Sequence, residues 1–446
     1  MTPKPSIPAT LTVLLAGQRA GILTRATPQL PTTFTYDDAW REDPAAFPLS
    51  LALPLAGRTF AGVPVERYLR GLLTDDPARL RRLAAHFGVD ATDAYALLAQ
   101  LGEDCPGAVQ FVRPERLETL LRAEPEQIDW LTAAALVAQI DALVAENGGV
   151  PPAEEAGQFS LPGALAKVAL RWDPDRARWG RPVGRAASTH IIKPPRPQIP
   201  FHCENEHLCL ELARALGLSA AESTVLRIGE RTALVVSRYD RVRTAAGEVQ
   251  RLHQEDFSQG LGADPTLKYA AEGAPTLAQM VALLRDWAAD GTEQALRLVE
   301  AVAFNWVIAG TDAHPRNYSL LIRAGSAVTL APLYDIASAL FLERAGTPRA
   351  PVGERRLAMA VAGETLVGRI GRTHWETEAK RNGLRVSVVV DRLTRLATAV
   401  PAAVVAVRDA ALASGMDERF ATRFAREVTA QARQAVRALS ARQRNP

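Results

Sequence analysis

FNWVIAGTDAHPRNYSLL (residues 304–321) and, nine positions further on, LAPLYDIASA (330–339) decide how this 446-residue chain is read. The first closes a helical pattern, TEQALRLVEAVAFNWVIAG over 292–310, which is apolar on nearly every side toward its end and is therefore buried. A polar stretch follows it, with Asp312 and Asn317 in an Asp-x4-Asn spacing. YSLLIR (318–323) and AVTLAPL (327–333) predict one small hairpin, and Asp335 stands just beyond it. Alone, the pair also suits a polar turn in which Asp312 caps and Asn317 takes a left-handed conformation. With the hairpin and Asp335 it gives what phosphoryl transfer asks of a protein. That is a carboxylate beside the attacking hydroxyl and oxygen ligands for metal on the phosphates.

Composition narrows the classes. At about 150 residues per domain the length predicts roughly three domains or subdomains. Residues are 48% apolar and 23% charged, as in an ordinary globular protein. The 52 basic and 49 acidic residues leave +3, too little for nucleic-acid binding by bulk charge. Three cysteines (Cys105, Cys203, Cys209) argue against a disulfide scaffold and for a reducing compartment. No apolar run approaches the length of about 18 residues that a membrane span needs, and LTVLLA is too short for a signal-peptide core. A cytoplasmic protein with no membrane partner is expected.

Outward from the centre, the chain divides by pattern. LTVLL (11–15) and GILTRA (21–26) predict a hairpin turned by Gly17 and Gly21, and TTFTYDDAW (32–40) another strand. RLRRLAAHFG (79–88) and ATDAYALLAQLG (91–102) read as helices stopped by glycine, and 126–149 as a third helix ending before Pro151 and Pro152. FSLPGALAKVALRWD (159–173) reads as strand, tight turn, strand, and 174–182 as a turn-rich connection. STHIIK (188–193) is a short strand ending in Lys193, one of only five lysines beside 47 arginines. A helix over 204–217, a hairpin of 223–229 with 231–239, and a largely helical remainder complete the order.

That is the element order of a protein-kinase small lobe followed by its large lobe. Lys193 could then reach nucleotide phosphates, paired with Glu204, Glu206 or Glu211, among which the sequence does not choose. Ser237 to Tyr239 suits either a hinge whose backbone holds adenine or an ordinary strand exit. The one-glycine turn SLPGALAK (160–167) is a poor phosphate loop, and Ser160 reads as a loop or capping residue. His202, Cys203, His207 and Cys209 match no zinc spacing, so both cysteines read as small buried hydrophobes. RLHQEDFSQ (251–259) is either a solvated loop or a brace for the site through Gln254 and Asp256. The arginines of the last helix (Arg419, Arg423, Arg426, Arg433, Arg437) predict a solvated face.

STHIIKPP, ENEHLCLELA, SRYDR, RLHQEDF, FNWVIAGTDAHPRNYSLL and LAPLYDIASA together resemble the HipA family, the kinase toxins of bacterial toxin–antitoxin modules, and the likeness runs over nearly the whole chain. The resemblance implies that Asp312 is the catalytic carboxylate and that Asn317 and Asp335 hold Mg²⁺. It implies that Lys193 contacts ATP phosphates, that Ser237 to Tyr239 bind adenine, and that His314 lies close to the nucleotide. It also implies autophosphorylation at Ser160, after which the loop swings out and ATP binding is lost. Leu165 stands where the family usually has glutamine, and Arg316 where it has lysine.

The expectation is an α+β chain with a two-lobed protein-kinase-like fold. Residues 1–125 would be an additional N-terminal α/β HipA-type subdomain, 126–240 the small lobe and 241–446 a largely helical C-terminal lobe with the catalytic loop. The expected activity is an ATP- and Mg²⁺-dependent serine/threonine protein kinase of the toxin type. The resemblance implies an aminoacyl-tRNA synthetase as substrate, glutamyl in the best-known case, with growth arrest as the result. It implies a HipB-type DNA-binding antitoxin as partner, so that DNA is met only indirectly. The rivals are a small-molecule kinase of the same superfamily and a catalytically silent co-repressor acting through its antitoxin.

Overall fold

The structure, a computed structural model, describes residues 7–122, 127–145, 160, 162–163, 167–196, 198–228, 231–245, 247–341 and 351–441. The chain forms two compact units. One comprises 1–194, 227–266 and 321–327, the other 195–226, 267–320 and 328–446.

In the first unit an antiparallel sheet runs in the order Thr59–Ala61, Thr33–Tyr36, Gln18–Thr24, Thr10–Leu15, Val109–Val112. The strand Thr10–Leu15 is buried on both faces, with Leu11, Val13 and Leu15 on one and Thr12 and Leu14 on the other. Ala16 and Gly17, both at positive φ, make the first turn. Gly21, expected to share it, instead lies inside the second strand, paired with Val13 and Tyr36. A side chain there would collide with the Thr35 carbonyl, so this glycine permits close strand approach. Helices Val63–Gly71, Pro77–Phe87 and Ala94–Leu101 belong to the same unit.

Five strands of a second antiparallel sheet run Arg231–Ser237, His190–Lys193, Val168–Asp173, Arg178–Pro182, Ile128–Trp130. Two expectations are corrected here. The stretch read as a turn-rich connection contributes the strand Arg178–Pro182, and the helix expected from 126 spans Ala133–Ala145. Ile128–Trp130 is recruited as an edge strand, with the Arg178 guanidinium 3.9 Å above the Trp130 ring. The Thr132 hydroxyl then accepts the Ala135 N–H and starts the helix. Of the strand expected near 159–167, residues 159, 161 and 164–166, including Leu165, lie outside the described residues.

The second unit is built on helices His202–Ala215, Leu277–Trp287, Gly291–Val307, Arg372–Arg381, Val386–Ala413 and Glu418–Ser440. Val386–Ala413 is long and apolar enough to cross a membrane, which the sequence reading passed over because charges interrupt its apolar run. Its buried residues Val389, Leu393, Leu396, Val400, Val404, Val407 and Ala411 recur every three or four positions. That single stripe is the signature of a helix packed on one side. It packs on Glu418–Ser440, whose own stripe is Phe420, Phe424, Val428, Ala432, Ala435 and Leu439. Arg419, Arg426, Arg433 and Arg437 are exposed as expected, while Arg423 is half-buried and paired with Glu427 at 2.9 Å.

Candidate active site

The loop that carries Asp312 is fixed from below by Asn305. Near the end of Gly291–Val307 this buried residue donates through Nδ2 to the Ala301 carbonyl (3.2 Å) and the Tyr318 hydroxyl (3.0 Å). Its own carbonyl accepts the Gly310 N–H at 2.7 Å. A side chain at position 310 would strike the Asn305 amide oxygen, so glycine is required where the helix turns into the loop. Ala309 at φ 54 completes that turn.

Two donors then converge on the Asp312 carbonyl, the His314 N–H at 2.8 Å and Asn317 Nδ2 at 2.9 Å. The Asn317 amide is thereby oriented, its Nδ2 end on the carbonyl and Oδ1 left as its acceptor end. Asp312 is exposed, and its Oδ1 accepts the hydroxyl hydrogen of Tyr269 at 3.0 Å. His314 is buried, with its ring edge-on to that of Tyr269 (82°, centroids 6.2 Å apart).

The hairpin forms as expected from Ser319–Arg323 and Ala327–Leu330, the Ser319 carbonyl accepting the Ala331 N–H at 2.8 Å. Tyr334 donates to the Arg316 carbonyl (2.9 Å) and its hydroxyl meets that of Ser319 (2.7 Å), tying the next segment back to the loop. Asp335 follows at φ 56, a left-handed conformation unusual for aspartate. Its flanks enforce it. Leu333 is hydrogen-bonded to Ser219 and Ala221, and Ser338 to Ile308 and Asn205. A strained residue bearing a carboxylate between two pinned segments is typical of a site.

Asn317 Oδ1 and the Asp335 carboxylate are hard oxygen donors. Mg²⁺ is commonly held by one or two such groups, with waters and substrate phosphates completing its octahedron. The donor set therefore fits magnesium on a nucleotide. No group of three or more His, Cys, Asp or Glu gathers as a metal cage among the described residues. Cys203 and Cys209 are buried and not joined in a disulfide.

The remaining candidates are divided between the units, with Glu204, Glu206 and Glu211 in the second and the others in the first. Lys193 ends its strand opposite Leu234 and is buried. Of Glu204, Glu206 and Glu211, only Glu206 is buried. Ser237 pairs with His190, and the Tyr239 hydroxyl donates to Gln254 Oε1 at 2.7 Å. His253–Asp256 is a buried strand, so these four residues are not a solvated loop. Asp256 caps the short helix that follows it. Ser160 is buried. Its hydroxyl donates to the Leu72 carbonyl at 2.7 Å and its N–H to the Asp104 carbonyl at 2.9 Å.

Sequence reasoning missed two things. The charges of SRYDR form a buried cluster. Arg238 holds Asp240 through two nitrogens (3.0 and 2.9 Å) and also donates to Ser188. Arg241 reaches Asp240 (2.8 Å) and Asp104 (3.0 Å), and Arg251 reaches Asp104 (3.4 Å). Burial opposes ionisation of Asp240, but the charges of Arg238 and Arg241 hold its carboxyl far below the usual range. Alternating charge directly after an apolar strand was the available signal. Tyr269 gave none, since only the fold brings it to Asp312.

Fold and loop together define a kinase-like α+β protein. Residues 11–112 match the HipA N-terminal domain and residues 159–404 the HipA-like C-terminal domain. The chain belongs to the HipA family, and the expected family is the one found. Y4mE of Sinorhizobium fredii is 36% identical over 378 residues, 84% of this chain and 86% of that protein. The serine/threonine-protein kinase toxin HipA of Shewanella oneidensis is 27% identical over 395 residues, 83% of each chain. The fold matches that of HipA solved in the toxin–antitoxin complex of Shewanella oneidensis MR-1 with HipB and operator DNA. The TM-score is 0.79 at 23% identity, covering 96% of this chain and 98% of that one.

Proposed function

We propose that this chain is an ATP- and Mg²⁺-dependent serine/threonine protein kinase that acts as a growth-arresting toxin. The observation that carries the reading is the loop in which Asn317 closes on the Asp312 carbonyl, followed by the hairpin and by Asp335 at its left-handed position. Asp312 would orient the acceptor hydroxyl and take its proton. Asn317 and Asp335 would hold Mg²⁺, which when bound neutralises charge on the transferring phosphoryl group. Lys193 would bind phosphates, the Ser237–Tyr239 backbone adenine, and His314 would border the nucleotide. The division into 1–125, 126–240 and 241–446 belongs to this reading.

Ser160 would be the self-phosphorylated residue. Its hydroxyl is tucked against Leu72, so the segment must leave that place before phosphate can reach it. The partner would be a HipB-type antitoxin, as in the Shewanella complex, with DNA met through it. The acceptor class is a protein of translation, an aminoacyl-tRNA synthetase, in a cytoplasmic setting.

Labelled ATP, Mg²⁺ and a cell lysate test the activity. Label from the γ-position in one protein band, absent with Asp312→Asn, is the expected result. Label only in small metabolites would replace the protein acceptor with a small molecule. An Asp312→Asn variant that arrests growth as fully as the parent would leave only a co-repressor role.

A further inference from the structure

A carboxylate on the surface has two freely turning bonds, yet displacement of a catalytic group by about 1 Å can cost about a hundredfold in rate. Asp312 is such a carboxylate, and something must hold it. We propose that Tyr269 is a positioning residue that fixes the Asp312 carboxylate through Oδ1, leaving Oδ2 to receive the acceptor hydroxyl. The role rests on the kinase reading above.

The brace, exposed to solvent, is tied into its own turn. The Glu272 carboxylate accepts the N–H groups of Lys268 (3.1 Å) and Tyr269 (3.2 Å), and the Tyr269 carbonyl accepts the Glu272 N–H at 2.8 Å. Gly273, at φ 87, closes that turn. The strand Arg356–Val361 packs on it, and the Ala358 N–H donates to the Thr311 carbonyl (3.0 Å), one residue before Asp312. Platform and loop thus share a support. The phenol ring stands edge-on to His314, two residues after Asp312, so both ends of the contact are anchored. A tyrosine suits the task because its ring has few rotamers and its hydroxyl a fixed reach. Partial burial, and then the Asp312 charge, push its pKa up to about 12, so it stays a donor throughout the working range.

Two other uses of the same contact are separable by experiment. The hydroxyl could occupy the place of the acceptor and block it, or could itself receive phosphate. Tyr269→Phe removes only the hydroxyl. In single-turnover self-labelling with MgATP, the expected result is a fall in rate of about tenfold, with the KM for MgATP and the melting temperature unchanged. An unchanged or increased rate overturns the proposal, as does phosphate found on Tyr269 in the parent. Loss of rate together with a raised KM and a lower melting temperature also overturns it, since that marks general loosening. A crystal structure of Tyr269→Phe provides a readout that needs no activity. The Asp312 carboxylate should spread over more than one rotamer, and a single unchanged rotamer defeats the positioning role. Absence of self-labelling and ADP release from the parent would sink the kinase reading instead, with the rotamer result still deciding what Tyr269 does.

Discussion

The side-chain amide of Asn317 donates to the backbone carbonyl of Asp312 across 2.9 Å and so closes the loop between them. The five-residue separation is thus a mechanical requirement as well as a chemical one. The same bond that shapes the loop uses the Nδ2 end and leaves Oδ1 as the acceptor that would hold Mg²⁺ in the proposed reading. Asn317→Asp replaces the donor with a second acceptor facing the carbonyl, while keeping a hard oxygen for metal. We expect self-labelling to fall at least a hundredfold, a loss of about 3 kcal/mol in transition-state stabilisation. Single-turnover rates over a range of Mg²⁺ check it. Rescue by excess Mg²⁺ would show that the loop closure is dispensable.

Asp335 separates stability from activity. Its left-handed backbone costs on the order of 1 kcal/mol, which glycine would relieve. Asp335→Gly relieves that strain but adds unfolded-chain freedom of similar size, so denaturant titration should place it within about 1 kcal/mol of the parent, with phosphoryl transfer abolished. Asp335→Asn keeps the strain and loses the charge, and should lose activity by several kcal/mol without gaining stability. Retained turnover in either variant would remove Asp335 from the metal site.

The buried charges around Asp104 give a third expectation. Removing one partner of a buried ion pair costs about 3–5 kcal/mol, because the remaining charge has no solvent. Asp240→Ala leaves both Arg238 and Arg241 without their shared carboxylate. The variant should lose about that much stability in urea. Nucleotide affinity should fall with it, because Arg238 lies between Ser237 and Tyr239. A loss below about 1 kcal/mol would mean that Asp104 alone sustains the cluster.

What could be read in advance follows a physical division. The loop from Asp312 to Asn317 and the hairpin ahead of Asp335 were legible because each is local in sequence, fixed by one helix end and one short pair of strands. The packed stripe of Val386–Ala413 was obscured by exposed Asp391 and Arg395 and by Arg392, which pairs with Glu293 and Glu300 of the neighbouring helix. Ile128–Trp130 looked helical because short apolar runs do not distinguish strand from helix until a partner strand recruits them. Tyr269 and Asp104 act only through residues 43 and more than 80 positions away, a distance over which periodicity carries no information.

Release of Ser160 is the next measurable step. Beside the Leu72 contact, the Thr74 hydroxyl donates to the Gly163 carbonyl at 3.0 Å and Lys167 Nζ to the Pro162 carbonyl at 2.6 Å. These bonds hold the segment in place, each contributing about 1 kcal/mol. Thr74→Ala should speed the appearance of phosphate on Ser160 about fivefold, read by mass spectrometry over time. Ser160→Ala should keep activity toward other acceptors and lose self-inactivation. Phosphate accumulating elsewhere in the parent would shift the modified site.

Stability should also depend on pH in a way set by one carboxyl. Glu255 is fully buried, with Oε1 accepting the Leu51 N–H at 2.8 Å, and burial pushes its pKa up to about 8. The folded state therefore binds a proton that the unfolded state releases above about 4.5, and this stability is lost as pH rises through 8. Buried His253 and half-buried His190 act oppositely. Desolvation lowers both to about 4, so between there and about 6.5 the unfolded state binds the extra protons and stability grows with pH. Below about 6.5 the histidines oppose Glu255, and above it only Glu255 among the three still titrates. Stability should peak near pH 6.5 and fall toward 8 by up to about 1.4 kcal/mol per unit. Glu255→Gln, which preserves the acceptor oxygen without a titrating proton, should flatten that alkaline decline. Urea melts of both proteins from pH 5 to 9 decide it, and an equal decline in the two would show that Glu255 does not govern the alkaline side.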